Sequence, residues 1–173
     1  MVTSKTAFNL CIRLSNTPKF AVDSMLGTVS KKLRILGYDS TFSSSIEDEK
    51  LLLDARIQER IIVTKDIMLA QKAQKTMIDS ILVTTNDEAR QFITIKNFLR
   101  IESFNIAVEK SRCALCNGIL KTIEKKLLDT RVVDNVLKFT DEFWECTSCQ
   151  KIFWDGSHIK NLQKFFKVVN TLS

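Results

Sequence analysis

A chain of 173 residues with 45% hydrophobic and 27% charged side chains has an ordinary globular composition and length for one sizeable core, which excludes a wholly disordered or low-complexity protein. Twenty-six Lys and Arg against twenty Asp and Glu give a net charge of +6, a balance that favours polyanionic partners without requiring one. No stretch approaches the roughly 18 consecutive apolar residues of a membrane-spanning helix. The segment from Ala7 to Leu14 is broken by Asn9 and Arg13 and lacks a cleavage signature, so a cytoplasmic protein without membrane association is expected.

Charge and cysteine divide the chain near residue 110. Residues 1–109 carry fifteen basic and thirteen acidic side chains, net +2, and residues 110–173 carry eleven and seven, net +4. Four of the five cysteines lie in the second part, and Cys11 stands alone near the start, where it reads as a packed or surface thiol. With one proline, Pro18, and four glycines, no flexible linker marks the boundary, so the two parts are expected to pack closely. The division is residues 1–109, with a core of about 19–109, and residues 110–173.

In chain order, Phe20-Ala21-Val22 reads as a short strand ending at Asp23, and Leu26, Val29, Leu33 and Leu36 recur at helical spacing up to a cap at Gly37. Tyr38 to Phe42 is a second strand; Ser45 to Asp48 opens a helix carrying Leu51, Leu52, Ala55 and Ile57. Ile61-Ile62-Val63 is a third strand, stopping at Asp66, and a helix covers about Ile67 to Lys75. Ser80 to Val83 is a fourth strand, followed by Thr84 to Asp87 and a helix from Glu88 to Phe98. Strands alternating with helices, and apolar runs without polar alternation, predict a mostly parallel sheet in a three-layer α/β/α fold.

In such a sheet all strands end at one edge, where ligands bind. Asp23, Asp66 and Asp87 each follow a strand, and Asp48 sits in the first turn of a helix that begins at that edge. Each has a simple role available as a helix cap, but several carboxylates brought together repel one another unless a cation holds them. Hard oxygen ligands, with the single histidine far away in sequence, suit magnesium or manganese, and ions of that kind serve phosphodiester hydrolysis. Glu47 and Glu49 flank Asp48 and are alternatives to it. A nucleotide-binding glycine loop is missing after the first strand, no histidine lies near enough for a Ser-His-Asp hydrolase, and a receiver-like phosphoacceptor would need paired acids where Asp23 stands alone.

In the second part, Cys113-x-x-Cys116 and Cys146-x-x-Cys149, twenty-nine residues apart, form a zinc-knuckle pattern, and in a reducing compartment a structural zinc is expected rather than disulfides. The stretch between them, with Val132, Val133, Val136, Leu137 and Phe139, suggests the β-hairpin of a zinc ribbon. A helix from Ile159 to Val169 follows, with Leu162, Phe165, Phe166 and Val169 on its apolar side. Phe143, Trp144, Phe153 and Trp154 either stack on unpaired bases or fill the ribbon core. His158 either contacts phosphate or is structural, and Lys121, Lys125, Lys126, Lys151, Lys160, Lys164 and Lys167 either track a phosphate backbone or form a solvated face.

The segments Phe20-Ala-Val-Asp23-Ser-Met-Leu-Gly27, Leu33-Arg-Ile-Leu-Gly-Tyr-Asp39, Ile62-Val-Thr-Lys-Asp66, Ser111-Arg-Cys-x-x-Cys-Asn-Gly118 and Phe143-Trp-x-Cys-x-x-Cys-x-x-Ile-Phe-Trp-x-Gly-Ser-His158 together resemble the Mut-seven C-terminal RNase family. That resemblance covers about residues 19–162. It implies a PIN-like nuclease domain fused to a zinc ribbon and magnesium- or manganese-dependent RNA cleavage. The implied acidic ligands match Asp23, Asp48 and Asp66, with Asp87 the looser match.

The expected activity is therefore a metal-dependent endoribonuclease. The acids hold the catalytic ion, Arg34, Lys65, Trp154 and His158 contact RNA, and the ribbon assists RNA or partner binding. The rivals are a non-catalytic RNA- or ribosome-binding adapter and the toxin of a toxin–antitoxin pair.

Overall fold

The structure, a computed structural model, describes residues 17–128 and 131–172; Cys11 lies outside the described residues. Four strands, β1 (Lys19–Val22), β2 (Asp39–Phe42), β3 (Ile61–Thr64) and β4 (Ser80–Leu82), form an all-parallel sheet in the order β2-β1-β3-β4. Parallel neighbours need crossover connections, and helices supply them: α1 (Gly27–Ile35) after a single 3-10 turn, α2 (Asp48–Ile57) and α3 (Ile67–Lys75). A fourth helix, α4 (Glu88–Leu99), follows β4.

Successive strand residues point to opposite faces, and the burial divides accordingly. Phe20, Val22, Val63 and Ile81 face one core with Leu26, Val29 and Leu33 beside α1 and Phe92, Ile95 and Leu99 of α4. Ala21 and Ile62 face the other, against Leu51, Leu52 and Ala55 of α2 and Leu69 and Ala73 of α3. This is the expected three-layer α/β arrangement. Ile57, expected on the buried face of α2, is exposed, because it falls two residues past Ala55 and so rotates off the apolar stripe. At Gly37 the backbone turns with φ of +93°, and a Cβ there would lie 2.9 Å from the Lys110 carbonyl oxygen, so glycine is required for this helix to stop and the chain to re-enter the sheet.

The second part contains an antiparallel sheet of β5 (Leu120–Ile123), β6 (Phe143–Cys146) and β7 (Ile152–Trp154), in that order. The segment expected to form its hairpin does not: α5 (Asp134–Phe139) occupies it. The β-branched valines suggest a strand, but Val132, Val136 and Leu137 pack on Leu128, Phe143 and Ile152 at spacings of four and five residues, a helical pattern, while Val133 and Phe139 are exposed. Phe143 and Trp144 are buried core residues, which settles them as packing.

The final helix, α6 (Ser157–Thr171), turns away from the ribbon and inserts Phe166 and Val169 into the core on the α1/α4 face of the parallel sheet. Phe166 meets Phe92 edge to face at 5.1 Å, and the Asn170 side chain clasps both main-chain groups of Phe104. Phe166→Ala should therefore cost about 3–5 kcal/mol in denaturant unfolding; a loss under about 1 kcal/mol would show that α6 does not close this core. Among the described residues no helix is long and apolar enough to cross a membrane.

Candidate active site and metal centre

One residue beyond the Val22–Val63 register pair, Asp23 lies beside Thr64 at the C-terminal edge of the parallel sheet. Its main-chain amide donates to the Val63 carbonyl at 3.0 Å, the Thr64 hydroxyl donates to Oδ2 at 2.7 Å and the Ser24 hydroxyl to Oδ1 at 3.1 Å. The same Thr64 oxygen accepts from the Asp66 amide at 2.9 Å. Thr64 is fully buried, so a single hydroxyl links the two expected acids. Sequence reasoning passed over this residue, although its signal was available as the one polar residue closing an otherwise apolar strand.

Asp66 caps α3, its Oδ1 accepting from the amides of Met68 and Leu69. Asp87 caps α4 in the same way through Ala89 and Arg90, and its second oxygen stands 4.0 Å from the Arg90 guanidinium. Asp48 opens α2 and faces Lys72 of α3 at 3.9 Å, a lysine that is closer to Glu49 at 3.2 Å. The structure thus links the Asp23 carboxylate to the Asp66 main-chain amide through Thr64, gives the Asp66 and Asp87 carboxylates capping roles, and holds Asp48 and Glu49 against a lysine. Asp23 is 7% exposed and, among the described residues, has no basic side chain within 4.0 Å. Burying a carboxylate without a positive partner is costly, and all-oxygen donors suit a hard divalent cation.

The four cysteines of the ribbon form the one group of three or more His, Cys, Asp or Glu side chains among the described residues whose donor atoms all lie within 4.8 Å of one another. Cys113 and Cys149 sulfurs are 3.5 Å apart, those of Cys116 and Cys146 3.4 Å. Sulfurs about 2.3 Å from a zinc ion stand roughly 3.8 Å apart, whereas a disulfide would bring them to about 2.05 Å. The cluster could therefore hold a metal ion such as zinc. Burial pushes the Cys113 thiol up to about 12. For Cys146 burial also acts upward, but the main-chain amides of Cys149 and Ser148 and the Cys116 and Cys149 side chains outweigh it and bring the thiol down to about 7. Four thiolates in so small a space need a cation among them. Gly118 is another position where only glycine fits, since a Cβ would lie 2.7 Å from the Cys146 sulfur.

Arg34, expected as a phosphate contact, is buried at the seam between the two sheets. It donates through Nε to the Ser40 carbonyl at 2.8 Å and through one terminal nitrogen to the carbonyls of Ala114 and Leu115, both at 2.9 Å, inside the first knuckle. Burial lowers its pKa, opposed by Cys113, Cys116 and Asp39. Its role in this geometry is to tie the knuckle to α1 and β2. Asn117, in the left-handed region at φ of +68°, adds a second tie, accepting from the Ser40 amide and donating to Asp39. Burial pushes the Asp39 carboxyl up, but hydrogen bonds from Arg60 and Asn117 and the charges of Arg60 and Arg112 hold it below the usual range.

Of the remaining candidates, Lys65 donates to Asn86 at 2.7 Å near the acidic edge. Trp154 and His158 lie elsewhere, lining a groove between the ribbon and the end of α1.

No curated protein and no solved structure matches the chain. The family model described as the Mut7-C RNAse domain matches residues 18–166, a span that includes the parallel sheet, the acidic edge and all four clustered cysteines. Its description indicates a nuclease-like function. With most of its length inside that match, the chain belongs to the Mut7-C RNAse domain family.

Proposed function

We propose that the protein is a PIN-like endoribonuclease that hydrolyses RNA phosphodiester bonds at the acidic edge with magnesium or manganese, while the ribbon and α6 position the RNA. The observation that carries this reading is Asp23: a buried carboxylate that Thr64 links to the main-chain amide of Asp66 and that, among the described residues, has no cationic side chain within 4.0 Å. Asp23 and Asp66 would hold the ion, with Asp48 and Asp87 flanking it. When bound, such an ion lowers the pKa of an attacking water and neutralises phosphate charge. Thr64 and Ser24 hold the Asp23 carboxylate in one orientation, and Asp66 keeps one oxygen on the first amides of α3. Zinc at the four cysteines is structural in this reading, since every position is taken by a thiolate and none is left open for substrate.

The test is incubation of the zinc-loaded protein with linear and circular single-stranded RNA, with manganese or magnesium and with neither. Cleavage of the circle, dependent on the added ion, is expected. Intact linear and circular RNA in both metals would overturn the nuclease reading in favour of an adapter, and degradation of linear RNA alone would overturn the endonucleolytic part.

A further inference from the structure

A groove of about 330 Å³ opens where the ribbon meets the end of α1. Its floor is apolar, built from Ile35, Leu120, Ile152 and the half-buried Trp154. Among the described residues no acidic side chain lines it, whereas Lys151 and His158 stand exposed at its rim and Arg112 shows an edge while paired with Asp39. The volume lies at the lower end of the range for small-ligand sites, about 300–1,000 Å³, and matches one nucleotide better than a peptide segment.

The first residues of α6, Ser157 to Ile159, line the groove, and further positive charge lies along that helix. Lys160, Lys164 and Lys167 recur at spacings of four and three residues, so they share one face of that helix, and all three are exposed. Among the described residues none of them, nor Lys151, takes part in an ion pair. Within the ribbon, Lys125 is paired with Asp141 and Lys126 with Glu124, while Lys121 and Lys138 are exposed and, among the described residues, in no ion pair. An aromatic-floored slot with no acidic lining among the described residues, beside a helix that carries unpaired lysines, is complementary to a flat apolar group attached to a chain of negative charges.

Resting on the ribonuclease reading, we propose that this groove is a subsite for one unpaired base of a single-stranded RNA, stacked against Trp154, with the adjoining backbone following Lys151, His158 and the lysine stripe of α6. Stacking on an aromatic side chain tolerates any base, so the subsite selects for an unpaired nucleotide rather than for sequence. Ile35 ends α1, and that helix begins at the acidic edge, so the groove lies at the far end of its nine residues, roughly 13 Å at about 1.5 Å per residue. The subsite therefore holds RNA at a distance of several nucleotides from the acids, and very short oligonucleotides cannot occupy both.

The test uses the zinc-loaded full chain and a single-stranded oligonucleotide carrying 2-aminopurine at successive positions, without magnesium or manganese so that the RNA stays intact. At one position the probe's emission should fall severalfold on binding. Trp154→Leu should abolish that fall and weaken binding about tenfold, and Trp154→Phe should restore most of both. Zinc content and circular dichroism verify that the ribbon remains folded. Lys151→Glu with His158→Ala, at exposed positions whose side chains make no hydrogen bond or ion pair among the described residues, should weaken binding at least fivefold and raise KM for a long RNA with little change in kcat; Lys75→Glu, on the opposite face of the sheet, should change neither. Salt-sensitive binding with no quenched position, or quenching that survives Trp154→Leu, would overturn the subsite and leave the ribonuclease reading standing. RNA that neither binds nor is cleaved would overturn both.

Discussion

Asp23→Asn is expected to abolish metal-dependent cleavage while leaving the protein as stable as before, or more so. Asparagine keeps the size of the side chain, and its oxygen still accepts from the Thr64 hydroxyl, which now approaches at 2.7 Å. What disappears is a buried negative charge that, among the described residues, has no positive side chain within 4.0 Å. In the folded, ion-free protein that charge is a liability, and replacing it with an amide relieves desolvation. In the proposed reaction the same charge would hold the ion, so its loss should remove several kcal/mol of transition-state stabilisation, a fall in rate of roughly a thousandfold. Activity and thermal stability measured on the same preparations separate this from a general structural defect. Cleavage within tenfold of wild type, or a melting temperature lowered by many degrees, would contradict it. A loss of activity without a loss of stability is what residues kept for function produce.

Cys113→Ser should release the metal and unfold the ribbon. The ribbon core consists of Leu128, Val132, Phe143 and Ile152, with a few half-buried neighbours. That is too little apolar surface to hold a fold of this size without a staple. Cys113 is fully buried, and its sulfur is 3.5 Å from that of Cys149, so a serine hydroxyl there cannot replace a thiolate donor. The expected result is a fall from one bound zinc per chain to none, read by elemental analysis, and loss of hydrogen-exchange protection across β5, β6 and β7. The damage should extend into the parallel sheet domain. Ala114 and Leu115 present their carbonyls to Arg34 only while the knuckle keeps its shape, and a buried guanidinium deprived of acceptors costs about 1.5–3 kcal/mol per bond lost. Retained zinc and retained protection in the variant would show that three thiolates suffice.

Where local chemistry decided the outcome, the fold was legible from residues alone. Helix α3 begins after Asp66 because an aspartate there caps two amides, and α1 stops before Gly37 because only glycine turns the chain at that point. The Cys-x-x-Cys spacing brought four sulfurs together as read. What stayed hidden depends on partners distant in sequence. Arg34 looks like any helical arginine until the knuckle carbonyls, eighty and eighty-one residues later, arrive beside it. The apolar stripe of α6 was visible, but not that it would cover α4 rather than the neighbouring ribbon. Between Val132 and Phe139 the β-branched residues outweighed a helical spacing that was present. At the acidic edge, sequence supplied the carboxylates but gave no weight to Thr64, whose importance lies in sitting opposite Asp23, one register step past the Val22–Val63 pair.

Because Phe166 and Val169 belong to the core of a sheet whose last strand ends at Leu82, that core is finished by an element more than seventy residues downstream. During synthesis the four strands and α1 to α4 leave the ribosome first, and until α6 follows, Phe92 and Phe104 lack the ring that covers them. The growing chain must carry an open apolar face while the ribbon acquires its metal, a state exposed to chaperones and to aggregation. The same geometry governs dissection of the protein. A fragment ending near residue 109 would contain every acid of the candidate site and yet lack the helix that seals it, so supplying α6 as a separate peptide should recover more of the fold than supplying the ribbon.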